Sequence, residues 1–318
     1  MRENKVIYGL IGYGGMGRWH TEILSNVPEI EIGGIYDIKE EKRIEAKEKG
    51  FSVYGSEEEM LSDPDIDVVL IATPNDCHKP IAIRAMHAGK NVISEKPVTL
   101  SSSDLQEMVN VAKETGKFLT VHQNRRWDDD FLIIRKLVEE QKLGHVFRIE
   151  SRVHGSRGIP GDWRKEKIHG GGMVLDWGVH LLDQILYLYG DRKIETVYAS
   201  LTHITNQEVD DGFTTILTFE GGTEVLVEVG TNNYISLPRW YVLGEDGTAV
   251  IRDWQLNGEI IRKTGKTEEK VVPVKTAAGL TKTMAPRRED TIVKEELPHV
   301  SVEYLFKPIW TIKESLAY

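Results

Sequence analysis

The strongest constraint on the fold is the run Val-Ile-Tyr-Gly-Leu-Ile at residues 6–11, which passes directly into Gly12-Tyr13-Gly14-Gly15-Met16-Gly17. A continuous apolar run of this kind fits a strand buried on both faces of a parallel sheet. The G-x-G-x-x-G after it fits a tight turn into a helix. In a dinucleotide site the first glycine makes the turn, the second lets backbone approach a pyrophosphate, and the third lets the helix pack closely. The first amides of the helix then face the phosphates. Taken alone, such a hexapeptide is equally a plain glycine turn. A second apolar stretch at 30–36 ends in Asp37, twenty positions beyond Gly17, where a carboxylate accepts hydrogen bonds from ribose hydroxyls. The combination predicts a dinucleotide site built from Gly12, Tyr13, Gly14, Gly15, Met16, Gly17 and Asp37.

The charge of Asp37 would repel a ribose 2′-phosphate, so NAD is expected in preference to NADP. Lys39, Lys42 and Arg43 lie just beyond it and leave a route to a phosphate, although a solvated helix face is the commoner role for such a run. Strands are expected at 51–54 and 68–72, the second broken at Thr73-Pro74-Asn75. In open α/β sheets ligands sit beyond the carboxyl ends of strands, which places Ala72, Thr73, Pro74, Asn75 and His78 beside the dinucleotide. The plain reading is a turn followed by a surface histidine. A helix over 79–88 ends at Gly89, a strand returns at 91–94, and the chain reaches Glu95-Lys96-Pro97. The proline restricts Lys96 toward extended geometry and is compatible with a cis bond. A lysine held there suits stabilising alkoxide character on a hydroxyl that is losing hydride; the plain reading is a lysine snorkelling from a loop. A helix at 102–115 and a strand at 118–122 complete this half.

The stretch Gly171 to Asp183 reads as a helix carrying Asp176 and His180 at i, i+4, one face of an α-helix. An imidazole near a carboxylate suits a general base. A buried, satisfied histidine beside a solvated acid is the alternative.

With these residues in place, the chain resembles the glucose-fructose oxidoreductase/inositol dehydrogenase/MocA family. The resemblance rests on Gly12 to Gly17, on Ala72-Thr73-Pro74-Asn75 with His78, on Ala88-Gly89-Lys90 through Glu95-Lys96-Pro97, and on Gly171-Gly172 through Asp176, His180 and Asp183. It implies an α/β protein: a doubly wound Rossmann domain at 1–122 and an α/β substrate and oligomerisation domain with a large, open, mostly antiparallel sheet at 123–318. The pattern after residue 122 agrees, with a helix at 129–141, strands at 146–153, 194–204, 213–219, 223–230 and 240–243, and turn signals at Glu220-Gly221-Gly222 and Glu245-Asp246-Gly247.

The resemblance further implies catalytic roles for Lys96, Asp176 and His180. His180 would remove a hydroxyl proton, Asp176 would orient the imidazole and Lys96 would polarise the reacting oxygen, while Glu95 contacts the nicotinamide ribose. The substrate expected is a cyclic polyol, sugar or glycoside. Two alternatives are an NAD-recycling glycosidase or lyase working through a transient keto-sugar, and a noncatalytic NAD- or sugar-sensing regulator. Candidate substrate contacts are Asn124, Arg126 and Trp127, then Trp163 and Arg164 ahead of the 171–183 helix, together with His154. Indoles stack on sugar rings while forked donors bond hydroxyls; the plain reading is core tryptophans and paired arginines. The cluster Arg125, Arg126, Arg152, Arg157 and Arg164 leaves room for a carboxylated or phosphorylated sugar.

Composition excludes other classes. The net charge of −10 argues against nucleic acid and anionic membranes, both of which need a basic face. No run approaches a bilayer span, and the N-terminus lacks the pattern of a signal peptide. With one cysteine, Cys77, no internal disulfide can form, and a cytoplasmic protein is expected. No metal site is expected, since His145 with His154 and His169 with His180 lack ligand spacing. A homo-oligomer, dimer or tetramer, is expected from the resemblance. One departure is that family members often continue into a longer closing helix, whereas this sequence stops at Tyr318.

Overall fold

The computed structural model describes residues 5–190, 192–265, 272–277, 279–284 and 292–300. The N-terminal sheet has five parallel strands, β1 (Val6–Ile11), β2 (Ile30–Tyr36), β3 (Val68–Ile71), β4 (Asn91–Ser94) and β5 (Leu119–Val121), in the order β2-β1-β3-β4-β5. Alternation explains the unbroken apolar runs. Tyr8, Leu10, Val68 and Leu70 pack on one face, while Ile7, Ile11, Val69 and Ile71 pack on the other. The crossover helices are α1 (Gly15–Leu24), α2 (Glu40–Glu48), α3 (Glu57–Ser62), α4 (His78–His87) and α5 (Ser102–Thr115). Ser101 caps α5 by accepting from the Asp104 amide, and Gly116 ends it in the left-handed region at φ 64°. The strand expected at 51–54 shrinks to a single parallel bridge between Ile35 and Val53.

The second sheet has eight strands among the described residues. After α6 (Asp129–Glu139) come β6 (Val146–His154), α7 (Val179–Tyr189), β7 (Ile194–Thr202), β8 (Gly212–Phe219), β9 (Glu224–Gly230), β10 (Trp240–Gly244), β11 (Gly247–Ile251) and β12 (Gly258–Lys263). A separate ribbon pairs β13 (Val272–Thr276) with β14 (Gly279–Met284), and β15 (Ile292–Glu295) returns to the edge of the large sheet. Its order is β15-β12-β11-β10-β6-β9-β8-β7, antiparallel except for the parallel pair β6 and β9. Phe213, Leu217 and Phe219 of β8, with Val225, Val227 and Val229 of β9, alternate inward and form one core with Leu181 and Ile185 of α7 and Phe131 and Ile134 of α6. Among the described residues no helix is long and apolar enough to cross a membrane.

The helix expected over 171–183 is divided. Residues Val174–Gly178 form a π turn, in which the Val179 amide reaches back five residues to the Val174 carbonyl, and α7 starts only afterward. Such turns are rare and cluster at functional sites.

Candidate active site between the two sheets

The glycine turn has the shape a dinucleotide needs. Gly12 has φ +97°, and a Cβ there would lie 2.6 Å from the Ala72 carbonyl oxygen. A Cβ on Gly17 would meet the Gly12 carbonyl oxygen at 2.1 Å, whereas Gly14 and Gly15 face open space. Tight turn, open middle and close helix packing therefore occur in the expected order. Tyr13 is buried, and Met16 lies in the first turn of α1. Asp37 accepts from the Tyr13 amide at 2.7 Å and the Lys39 amide at 2.8 Å, one on each carboxylate oxygen. Each oxygen keeps a lone pair for a ribose hydroxyl. Lys42 pairs with Glu45, and Arg43 donates to the Asp37 carbonyl, so neither is uncommitted.

The residues after β3 do more than border a ligand. His78 is fully buried, with Nδ1 2.9 Å from the Pro97 carbonyl and Nε2 3.0 Å from the Thr73 carbonyl. It ties the Ala72-Thr73-Pro74 turn to the Lys96-Pro97 turn, whose peptide bond is cis. Burial lowers its pKa against the opposing pull of the two carbonyl contacts. Asn75, also buried, donates from Nδ2 to the Gly170 carbonyl at 3.0 Å and so joins the two halves.

Lys96 crosses the same gap. From the end of β4 its Nζ donates to the Asp176 carbonyl at 2.9 Å and to Asp176 Oδ1 at 3.1 Å. Arg164 Nε lies 3.2 Å from that same Oδ1. Burial would raise the Asp176 carboxyl, but the fields of Lys96 and Arg164 outweigh it and keep the group ionised. His180 is buried, and its Nδ1 has no hydrogen-bond partner among the described residues. Asp176 does not orient it by a hydrogen bond; the π turn takes this carboxylate to Lys96 and Arg164 instead. Burial, then the charges of Lys96 and Arg125, lower the His180 pKa to about 2.

Asp210, missed in the sequence, fixes the start of the π turn. Its Oδ2 accepts from the Met173 and Val174 amides, each at 2.9 Å. Gly172, at φ +100°, leaves the room that this requires, since a Cβ would stand 2.2 Å from Asp210 Oδ1.

Glu95 is buried at the end of β4. Its Oε1 accepts from His20 at 2.7 Å and from His122 at 3.0 Å, and its Oε2 accepts from the Lys96 amide at 3.1 Å. Burial would raise this carboxyl, but the two imidazoles overcome that and hold it ionised, well below its usual range. These three side chains bring their ligand atoms within 4.8 Å of one another and could hold a metal ion. They come from α1, β4 and the end of β5, so none of the histidine pairs weighed in the sequence pointed to them.

The candidate substrate residues separate. Arg126 makes a two-pronged pair with Asp183 at 2.7 and 2.6 Å and stacks on Tyr187. Asn124 and Trp127 lie on the same short 3-10 turn, both half-buried. Arg164 stacks on Trp163 at 4.6 Å and reaches Asp162 as well as Asp176. His154 accepts from the Leu237 amide at 3.2 Å and borders a cavity of about 530 Å³ with Arg125, Arg157, Met173, Trp177 and Trp254. Arg125, adjacent to the arginine chosen from the sequence, is the one that stacks on Trp177, at 4.1 Å.

Both halves of the chain match known proteins. Residues 6–123 match the model of an oxidoreductase family with an NAD-binding Rossmann fold, and residues 131–250 match the GFO/IDH/MocA C-terminal domain. An NAD-binding protein from Listeria innocua superposes with a TM-score of 0.92 at 48% identity, covering 98% of this chain and 90% of that one. The scyllo-inositol 2-dehydrogenase (NADP(+)) IolW of Bacillus subtilis (strain 168) is 30% identical over 244 residues, 76% of this chain and 67% of that protein. The uncharacterized oxidoreductase YdgJ of Escherichia coli (strain K12) is 37% identical over 190 residues, 59% of this chain, which spans 55% of that protein. The glycine turn and Asp37 fit the NAD that the family binds, and the chain belongs to the GFO/IDH/MocA family of oxidoreductases.

Proposed function

We propose that this protein is an NAD-dependent dehydrogenase acting on a secondary hydroxyl of a cyclic polyol, sugar or glycoside, with residues 1–122 holding the dinucleotide and 123–318 the substrate. The observation that carries this reading is the bridge from Lys96, on the nucleotide sheet, to Asp176, one turn from the buried His180. NAD, when bound, supplies the acceptor for the hydride. Lys96 uses two of its three protons on Asp176 and keeps one for the substrate oxygen, where negative charge grows as hydride leaves.

His180, kept neutral by burial and two nearby cations, has lone-pair capacity for the hydroxyl proton. Asp176 has Oδ2 left for a neighbouring hydroxyl, because Lys96 and Arg164 both occupy Oδ1. Glu95 is positioned by His20 and His122 for the nicotinamide ribose. Trp163, Arg164 and His154 are assigned to the substrate, with Asn124 and Trp127 on one 3-10 turn. Arg126, committed to Asp183, braces α7.

IolW, the B. subtilis relative, is named for an inositol dehydrogenase activity, which supports a polyol or sugar. A panel of inositols, aldoses, uronic acids and glucosides, assayed with NAD and NADP by nicotinamide absorbance, tests the proposal. Reduced NAD is expected to accumulate with at least one ring substrate, and more slowly with NADP. Measurable NAD binding with no reduction anywhere in the panel would count against a dehydrogenase.

A further inference from the structure

The five clustered arginines do not share one fate. Arg126 pairs with Asp183, Arg125 with Asp128, Arg164 with Asp162 and Asp176, and Arg152 with Glu150 and Glu228. Arg157 has no carboxylate partner among the described residues, and it borders the 530 Å³ cavity. That lining holds Arg125, Arg157 and His154 but no aspartate or glutamate. In a chain of net charge −10, a lining whose charged side chains are Arg125 and Arg157 is a local reversal of sign. The acid adjoining it, Glu228, is already held by Arg152 and His154.

The loop presenting Arg157 is braced on both sides. The Gly155 amide donates to Gly230 at 2.8 Å, the Gly158 amide to Thr231 at 3.0 Å, and the Gly155 carbonyl accepts from Asn233 at 2.8 Å. Trp177 and Trp254 contribute indoles with centroids 5.9 Å apart, with the Arg125 guanidinium stacked on Trp177 at 4.1 Å and that of Arg239 on Trp254 at 4.7 Å. Lys96, Asp176 and His180 are not among the lining residues, and Trp177 is the link between the cavity and them. Trp177 directly follows Asp176, its ring centroid lies 6.1 Å from that of His180, and the charge of Arg125 acts on His180.

We infer that the ring oxidised here carries an anionic group, a carboxylate or a phosphate ester, received by Arg157 while the ring lies against Trp177. This rests on the dehydrogenase reading for the site of oxidation, but the anion site can be measured without turnover. A guanidinium free of acid partners forms forked, charge-assisted hydrogen bonds with either group. A cleft lined with one sign of charge also raises the local concentration of its counter-ion.

The test is calorimetric binding and NAD-coupled turnover for wild type, Arg157→Ala and Arg157→Lys. The probes are glucose, galactose and myo-inositol beside glucuronate, galacturonate and the hexose 6-phosphates. Wild type should prefer a charged ring over its neutral counterpart by about tenfold or more, the scale of a charge-assisted hydrogen bond. The preference should weaken with salt, disappear in Arg157→Ala and return in part with Arg157→Lys. Uronates and phosphates distinguish the two anion chemistries. Equal affinity for charged and neutral rings, no binding of any charged ring, or a preference that survives Arg157→Ala overturns the inference. Oxidation of neutral rings alone would leave the dehydrogenase standing without the anion site. Arg157-dependent anion binding with no oxidation would leave the anion site standing without the dehydrogenase.

Discussion

Two backbone turns, one in each half of the chain, are specified in opposite ways. At Gly12 to Gly17 the absence of side chains sets the geometry, since a Cβ at the first or last glycine would collide with backbone. At Val174–Gly178 four of the five residues carry side chains, and the wider turn is held from outside by Asp210 and Lys96. A locally encoded turn serves the part of the reaction common to many substrates. A turn imposed by tertiary partners is the one that carries Asp176 and leads into His180. Binding and chemistry should therefore fail separately.

The largest separation is expected for His180→Ala. Loss of a positioned base lowers kcat by about 10²- to 10⁴-fold, while NADH affinity, followed by fluorescence titration, moves less than about twofold. A parallel loss of affinity would break the division. Gly12→Ala should do the reverse, costing about 1–3 kcal/mol in urea denaturation through its strained φ and its clash with Ala72. Dinucleotide affinity should fall with it by about tenfold or more. Asp210→Ala removes the acceptor for two amides. A cap loss of about 1 kcal/mol is expected, with kcat falling further than NADH affinity. An unchanged kcat would mean that the π turn holds itself.

The smallest effect is one of pH. A group whose folded pKa is depressed stays deprotonated down to that value, so the His180 ring signals followed by NMR should remain flat between about pH 5 and 8. Arg125→Gln removes a cation, which favours the protonated ring and moves its titration upward. A wild-type midpoint near the ordinary histidine value would show that burial and the two cations do not govern the ring.

The same contrast explains what was legible in the sequence. Buried strands, the glycine turn, Asp37 and Lys96 follow from local rules of periodicity and residue type, and they occur where expected. The π turn does not, because an i→i+5 bond leaves no signature in composition or spacing. Glu95 draws its partners from α1 and β5, so the His20–Glu95–His122 cluster exists only after the sheet forms. Arg125 and Arg126 are adjacent on a 3-10 turn that sends one toward Trp177 and the other toward Asp183. Sequence identifies the pair but not which way each points. Residues 51–54 show a milder limit, an apolar stretch with too little sheet beside it to pair beyond one bridge.

The clasp between Asn75 and Gly170 bears on how such enzymes are recombined. Gly170 is crowded by Leu100 as well, with room for a Cβ only 2.2 Å from a Leu100 methyl carbon, so this loop is shaped by two residues of the nucleotide half. Trp163 and Arg164 belong to that loop. A chimera that transplants only the substrate half onto a foreign nucleotide half would leave the loop without its mould. Altered specificity should transfer intact only when Asn75 and Leu100 travel with it.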